Sequence, residues 1–160
     1  MANETEIKKA LTRLMDAFTI YNKDPEAVKA FTRIVVEKLS QFPAFIIDRA
    51  VEKIIETQTF MPKIAEMMTA CYQQRDQAMS AVYNKVLDFK GDWYSNKIHT
   101  LEEWETLRDE YLKLNAHASA AHVMQEYEHY GHECRRASPE QIAEGKKKLA
   151  KLAEQFGRMG

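Results

Sequence analysis

Apolar residues recur every three or four positions along most of the chain, which is the spacing of helices that bury one face. The first such stripe predicts a helix over residues 5–21 and consists of Ile7, Leu11, Leu14, Met15 and Phe18. Asp24 and Pro25 form a helix start signal, because the Asp side chain can accept a free backbone N–H and Pro at the first helical position loses no hydrogen bond. A second helix is therefore predicted over residues 25–39.

Two further helices are predicted between residues 42 and 90. Phe42 and Pro43 open the third helix, whose apolar stripe is broad enough to be buried on more than one side: Ile46, Ile47, Ala50, Val51, Ile54 and Ile55. Pro62 lies where a fourth helix would begin, and helical spacing continues from there over a long stretch. Gly91 is predicted to end this helix near Lys90, because glycine readily adopts the left-handed conformation found after helix ends.

The remaining chain predicts about three more helices. Thr100 and Glu103 have the spacing of a capping box, and residues 117–130 form a further helix that ends at Gly131. Ser138 and Pro139 begin a final helix with a narrow apolar seam: Ile142, Leu149, Leu152 and Phe156. The sequence thus predicts an all-α fold, with an N-terminal helical bundle over residues 1–90, a linker over residues 91–99 and a C-terminal helical segment over residues 100–160.

Composition excludes several protein classes. The chain is 45% hydrophobic and 29% charged, which is too apolar for a disordered protein and too charged for a membrane protein. The N-terminus lacks the basic-then-apolar order of a signal peptide, and two cysteines are too few for a disulfide scaffold. We therefore expect a cytoplasmic protein that does not contact a membrane. A net charge of -1 gives no overall attraction to nucleic acid.

Catalytic motifs are missing from the sequence. It contains no nucleophile with a nearby base, no Gly-rich phosphate loop and no pair of carboxylates in an apolar setting. Buried stripes account for most of the apolar residues, so we expect the protein to function through the outward-facing surfaces of its helices. Neither enzymatic activity nor a cofactor is expected.

A stretch rich in histidine is a candidate metal site. His122, His129, His132 and Cys134 lie close together in the sequence, and imidazole and thiolate are ligands that Zn²⁺ prefers. The spacing matches no named motif, and an exposed polar face that uses histidine is the ordinary explanation. A small metal-binding or nucleic-acid-binding regulatory module is therefore the alternative function.

The nucleic-acid reading rests on Arg135 and Arg136 beside two tyrosines, and on the basic run Lys146, Lys147 and Lys148. Arginine and tyrosine can neutralise and stack on single-stranded DNA. Neighbouring glutamates would repel phosphate, and a solvated helix face is the ordinary explanation of a lysine run.

Large aromatic residues flank the predicted linker. Trp93, Tyr94 and Trp104 are candidate anchors for a protein partner, since such side chains dominate interface hot spots. Packing between the two halves of the chain is the alternative.

Residues 51–67 carry a further pattern, in which Phe60, Pro62, Ile64, Ala65 and Glu66 follow the third predicted helix. This pattern resembles the short signature of the phage replicative-helicase loader and inhibitor family, and the likeness covers roughly residues 5–76. The motif also has a purely structural explanation. Phe60 would plug the bundle, and Pro62 would preset the start of the helix. Glu66 would lie near the positive end of the helix dipole, and Ile64 and Met67 would face inward.

The resemblance implies a non-enzymatic phage or prophage protein. Such a protein would bind the hexameric, ring-shaped replicative helicase of the host, and either load it or inhibit it during DNA replication. The helicase contact is expected in the C-terminal half, where the final helix with its seam of Ile142, Leu149, Leu152 and Phe156 could occupy a groove on the partner.

Overall fold

The computed structural model describes residues 1–18, 24–132 and 143–149, and within these ranges every regular element is a helix. Six helices have defined bounds: α1 Glu4–Ala17, α2 Pro25–Leu39, α3 Ala44–Thr57, α4 Ile64–Tyr94, α5 Leu101–Lys113 and α6 His117–Tyr130. Residues 143–149 are also helical. The predicted all-α class is confirmed. None of the helices in the described ranges combines the length and apolar character that crossing a bilayer requires.

Local hydrogen bonds explain where most helices begin. Asp24 Oδ1 accepts from Glu26 N at 3.3 Å, and Thr100 and Glu103 form the predicted capping box. Helix α1 begins at a second capping box, between Asn3 and Glu6, which sequence reasoning missed. This helix ends at Ala17 rather than at the predicted residue 21, and residues 19–23 lie outside the described ranges.

The predicted end of α4 near Lys90 is wrong, because the helix continues to Tyr94. Gly91 has a helical backbone, and the left-handed conformation occurs instead at Asn96, with φ of 60°. Asparagine tolerates this conformation, and the backbone N–H of Lys97 then closes the helix end on the carbonyl oxygen of Asp92 at 3.0 Å. The first four residues of the linker predicted over 91–99 are therefore helical.

The N-terminal half of α4 packs with α3 and α2, and α1 in turn packs with α3 and α2. Leu14, Val35 and Ile46 are buried in this group, together with Phe42 from the turn between α2 and α3. The Phe42 ring meets the Tyr72 ring edge to face, with 5.0 Å between the centroids. This turn also receives a hydrogen bond of 2.9 Å from the backbone N–H of Ala2, which fixes the N-terminus to the bundle.

The C-terminal half of α4 packs with the hairpin of α5 and α6. Val82 and Val86 of α4, Trp104 of α5 and Val123 of α6 are buried there. Helix α4 thus contributes side chains to both groups of helices, and their buried residues form one continuous cluster. The division of the chain into an N-terminal and a C-terminal domain stays a prediction.

Candidate protein-interaction surfaces

The connector between α3 and α4 carries the most exposed large aromatic side chain of the described ranges. Phe60 is 81% exposed, so the prediction that it plugs the bundle is wrong. Pro62, two residues later, is buried instead and occupies the place next to the core. Met61, between these two residues, is partly buried against the core, so Phe60 is the apolar residue of the connector that lies in solvent.

Helix α4 begins just after this connector with a well-defined cap. Glu66 Oε2 accepts a hydrogen bond from the backbone N–H of Lys63 at 2.7 Å, so the glutamate of the motif stabilises the helix start. Ile64 is half-buried against the core and Met67 is buried, as predicted, whereas Ala65 is exposed. The connector that carries Phe60 is therefore held between two ordered helices.

Two shallow grooves adjoin the connector. One, of about 320 Å³, is lined by the connector residues around Phe60 together with Lys63 and Glu66. The other, of about 240 Å³, lies between the last turns of α3 and the first turns of α4. Both include Gln58 and Glu66, so they form one continuous surface around an exposed aromatic ring, and we refer to it as the connector surface.

A cluster of aromatic rings lies at the C-terminal end of α4. Trp93 meets Tyr94 and Tyr130 edge to face at centroid distances of 5.1 and 5.3 Å, and Trp93 Nε1 donates to the backbone oxygen of His132 at 2.8 Å. Tyr94 is 71% exposed. Trp93 is thus used partly for packing between α4 and α6, while Tyr94 is accessible to a partner.

Charged groups adjoin this aromatic cluster. The Lys90 ammonium lies 4.9 Å from the centre of the Tyr130 ring and 3.0 Å from the Glu126 carboxylate. The hydrogen bond to Glu126 raises the pKa of Lys90, and the hydrogen bond that the Tyr130 hydroxyl donates to Tyr94 raises the pKa of Tyr130. Lys90 therefore keeps its charge and the Tyr130 hydroxyl its proton at neutral pH.

Trp104 has a different environment from the other two candidate anchors. It is 0% exposed, and its ring meets Phe89 edge to face at a centroid distance of 5.2 Å. Its side chain therefore packs α5 onto α4 and is not accessible to a partner. For Trp104 the structure therefore shows the alternative role, packing, rather than that of an anchor for a partner.

The histidines are dispersed around α6. His122 Nε2 lies 3.1 Å from Glu126 Oε1, whereas the rings of His129 and His132 contact Tyr130 and Tyr127 respectively. Within the ranges the structure describes, no three side chains of the types His, Cys, Asp and Glu are grouped closely enough to hold a metal ion. Cys134 lies outside those ranges, so the complete Zn²⁺ hypothesis stays a prediction.

Besides Cys134, five candidate residues of the C-terminal segment lie outside the described ranges: Arg135, Arg136, Ile142, Leu152 and Phe156. Within the helical residues 143–149, Leu149 and Lys146 to Lys148 are exposed, and Lys148 Nζ pairs with Glu144 at 2.9 Å. The predicted contacts of this segment with a helicase or with single-stranded DNA stay predictions.

A groove between α1 and α2, of about 770 Å³, was not predicted from the sequence. Its rim carries both acidic and basic side chains: Glu4, Lys8, Glu26, Lys29, Arg33 and Glu37. Lys8 pairs with Glu4 at 2.5 Å and lowers the pKa of that carboxyl, so Glu4 is ionised at neutral pH. A general acid or base needs a pKa close to the working pH. The lowered pKa of Glu4 is further from neutral pH than the ordinary value, so the shift does not suit Glu4 to either role.

Comparison of the chain with protein-family models, with curated proteins and with solved structures finds no match.

Proposed function

We propose that this chain is a non-enzymatic phage or prophage protein that binds the hexameric replicative helicase of its host and loads or inhibits it during DNA replication. The partner class comes from the resemblance of residues 51–67 to the loader and inhibitor family. The observation that supports a binding role for this segment is the 81% exposure of Phe60. A large apolar side chain in solvent gives no stability to its own fold, but it gains free energy when a partner covers it.

Phe60 is well placed to act as an anchor. The capped start of α4 and the buried Pro62 hold its backbone on one side, and α3 holds it on the other. A rigid aromatic side chain loses little conformational entropy on binding, which is a property of interface hot spots. The adjoining grooves of the connector surface leave room for partner side chains around the ring.

The test is capture of a purified hexameric replicative helicase by the full chain, with Phe60→Ala as the variant. We expect the wild type to bind, and F60A to weaken binding about 30-fold or more because it removes a hot-spot aromatic. Phe45→Ala is the matched control, since Phe45 is also a surface phenylalanine of the bundle but lies at the start of α3. F45A should bind as the wild type does.

The assay separates the parts of the proposal. Failure of the wild type to bind helicases from candidate hosts would refute the helicase function itself. Equal binding by the wild type and F60A would refute only the role of Phe60, and would direct attention to the exposed Tyr94 and the C-terminal seam. Helicase ATPase and unwinding rates then distinguish loading from inhibition, because the two activities favour different states of the same partner.

A further inference from the structure

Helix α4 has 31 residues, whereas each of the other five bounded helices has 13 to 15, so α4 has surface that they do not cover. Side chains three or four residues apart lie on one side of a helix. One such set runs beside the core from the third turn of α4 to its C-terminal end, and we call it the central stripe: Tyr72, Asp76, Met79, Tyr83, Leu87, Lys90 and Tyr94.

Four of the five aromatic and apolar members of the central stripe are exposed, and the fifth, Met79, is partly buried against the core. Tyr83 at its middle is 51% exposed, Leu87 is 43% exposed, and Tyr72 and Tyr94 at its ends are also exposed. Val82 and Val86 belong to the core face of α4, and some members of the central stripe also contact neighbouring elements: Tyr72 meets Phe42, and Lys90 and Tyr94 meet Tyr130 of α6. The central stripe is therefore a partly exposed apolar face that lies beside the core face of α4.

The order of the residues in the central stripe is symmetric about Tyr83. Met79 and Leu87 lie four residues to either side, Asp76 and Lys90 seven residues, and Tyr72 and Tyr94 eleven residues. Two such helices crossing in antiparallel orientation at Tyr83 would place each residue opposite its counterpart. Met79 would then face Leu87, Tyr72 would face Tyr94, and the Asp76 carboxylate would face the Lys90 ammonium.

We propose that this chain forms a two-fold symmetric dimer, in which α4 of one copy packs antiparallel on α4 of a second copy along the central stripe. Such an isologous interface requires a surface that is complementary to itself, and the symmetric sequence around Tyr83 provides one. At a rise of 1.5 Å per residue the central stripe is about 33 Å long, which is enough for an extended helix pair.

A groove of about 360 Å³ opens beside Tyr83, at the position of the proposed two-fold axis. It lies between α4, α5 and α6, and its lining includes the buried apolar side chains of Val86, Tyr111 and Val123. The Tyr83 ring of the second copy would enter this groove and pack against its lining. The exposed Ala118 at its edge brings α6 into the interface.

The two charged members of the central stripe favour a second copy over an unrelated partner. Asp76 is exposed and forms no ion pair within the described part of the chain. Lys90 is held in place by Glu126 at 3.0 Å and by the Tyr130 ring, with further N–H donors left for a carboxylate. In the dimer each Asp76 gains an opposite charge that this same sequence supplies.

Sedimentation equilibrium on the full chain provides the test, with a charge exchange across the interface. The wild type should dimerise, and Asp76→Lys should weaken the dimer roughly 100-fold, because it opposes two lysines at two symmetric places. The double variant K90E/E126K reverses the charge at residue 90 while keeping its ion pair with residue 126, and it should also be monomeric. A mixture of D76K with K90E/E126K should form heterodimers, since opposite charges then face each other at both places.

The matched control is Gln77→Lys, which adds a lysine at an exposed position next to Asp76 but outside the central stripe, and it should dimerise as the wild type does. In a background with Cys134→Ser, Y83C should form a disulfide across the axis on oxidation, whereas N84C should not. A monomeric wild type, or a dimer unaffected by D76K and lacking the Y83C crosslink, would overturn the proposal. Dimerisation is measured without helicase, so its outcome is independent of the proposed function.

Discussion

The buried thiol of Cys71 shows how strongly the core controls the chemistry of a single residue. Its side chain is 1% exposed in α4 and belongs to the hydrophobic core. Burial disfavours the thiolate and raises the pKa of Cys71 to about 12. Because the thiolate is the reactive form, Cys71 should be chemically inert as long as the N-terminal helices stay packed.

This inertness can be measured with iodoacetamide in a Cys134→Ser variant, where Cys71 is the remaining thiol of the two in the sequence. A rise in pKa from 9.0 to about 12 reduces the thiolate fraction about 1000-fold at neutral pH, and burial also blocks access. We expect mass spectrometry to find no labelling of the native protein and complete labelling in urea. Labelling of the native protein at the rate of a free cysteine would show that this part of the core opens readily.

At the level of single residues, burial could be predicted within helices from the helical spacing, but it could not be predicted for residues in the connectors. Trp104 lies in the first turns of the helix that the capping box of Thr100 and Glu103 predicts, so burial in the core could be named as one of two possibilities. Phe60 lies between a helix and a proline, where no periodicity indicates which way a side chain faces. Its exposure depends on the path of the backbone, which places Pro62 against the core instead.

Two glycines near helix ends have opposite surroundings. An added Cβ at Gly91 would meet nothing within 4 Å, and the residue has an ordinary helical backbone. An added Cβ at Gly131 would clash with the ring of Tyr127 and lie 2.7 Å from its carbonyl oxygen. The first glycine therefore only weakens its helix, whereas the second is required by the close approach of the preceding turn.

Alanine substitutions should separate these two cases. We expect G91A to raise the free energy of unfolding by about 0.5–1 kcal/mol, because alanine has the higher helix propensity and the unfolded chain loses freedom. G131A should lower it, because the backbone must shift to relieve the contact with Tyr127. Urea denaturation of the two variants beside the wild type measures both changes, and destabilisation by G91A would contradict this account of α4.

Helix starts could be predicted from the sequence because a few adjacent residues decide them. Asp24 and Thr100 each accept a backbone N–H of their own first turn, so no knowledge of the fold is needed. The end of α4 was missed because glycine permits a left-handed conformation without requiring it. The helix passes through Gly91 and ends where Asn96 allows the chain to turn back towards α5.

At the scale of the whole molecule, the corner between α4 and α5 is held by one polar network. His99 is buried, with its ring stacked on Phe89 at 3.6 Å between centroids and Nε2 at 2.8 Å from Asp92 Oδ2. Lys97 Nζ lies 2.7 Å from the same carboxylate oxygen, and Glu103 lies 3.4 Å from His99 Nδ1. The all-α class could be predicted from the helical periodicity of the sequence. This network could not, because it joins residues of two helices and their connector, and the burial of His99 depends on how these elements pack.

The network makes the stability of the fold depend on pH in a definite direction. Hydrogen bonds from Lys97 and then His99 lower the pKa of Asp92 below its ordinary value, and the backbone N–H of Thr100 does the same for Glu103. A carboxyl whose pKa is lower in the folded state adds stability above its unfolded pKa of about 4, and this is lost as the pH falls through the folded value. The hydrogen bond to Asp92 raises the pKa of Lys97, whose contribution is present below its unfolded pKa of about 10.4 and lost as the pH rises through the folded value.

The variant Asp92→Asn tests this directly, because asparagine resembles the protonated carboxyl at every pH. Between pH of about 5 and about 9 we expect D92N to unfold at a lower urea concentration than the wild type, and the difference should shrink to nothing as the pH falls below the folded pKa of Asp92. Tryptophan fluorescence follows this corner, since the buried Trp104 contacts the same Phe89 ring on which His99 stacks. Asp88→Asn on the exposed face of α4 serves as the control. A difference between D92N and the wild type that persists unchanged into acid would show that Asp92 stabilises the corner by its shape and hydrogen bonds rather than by its charge.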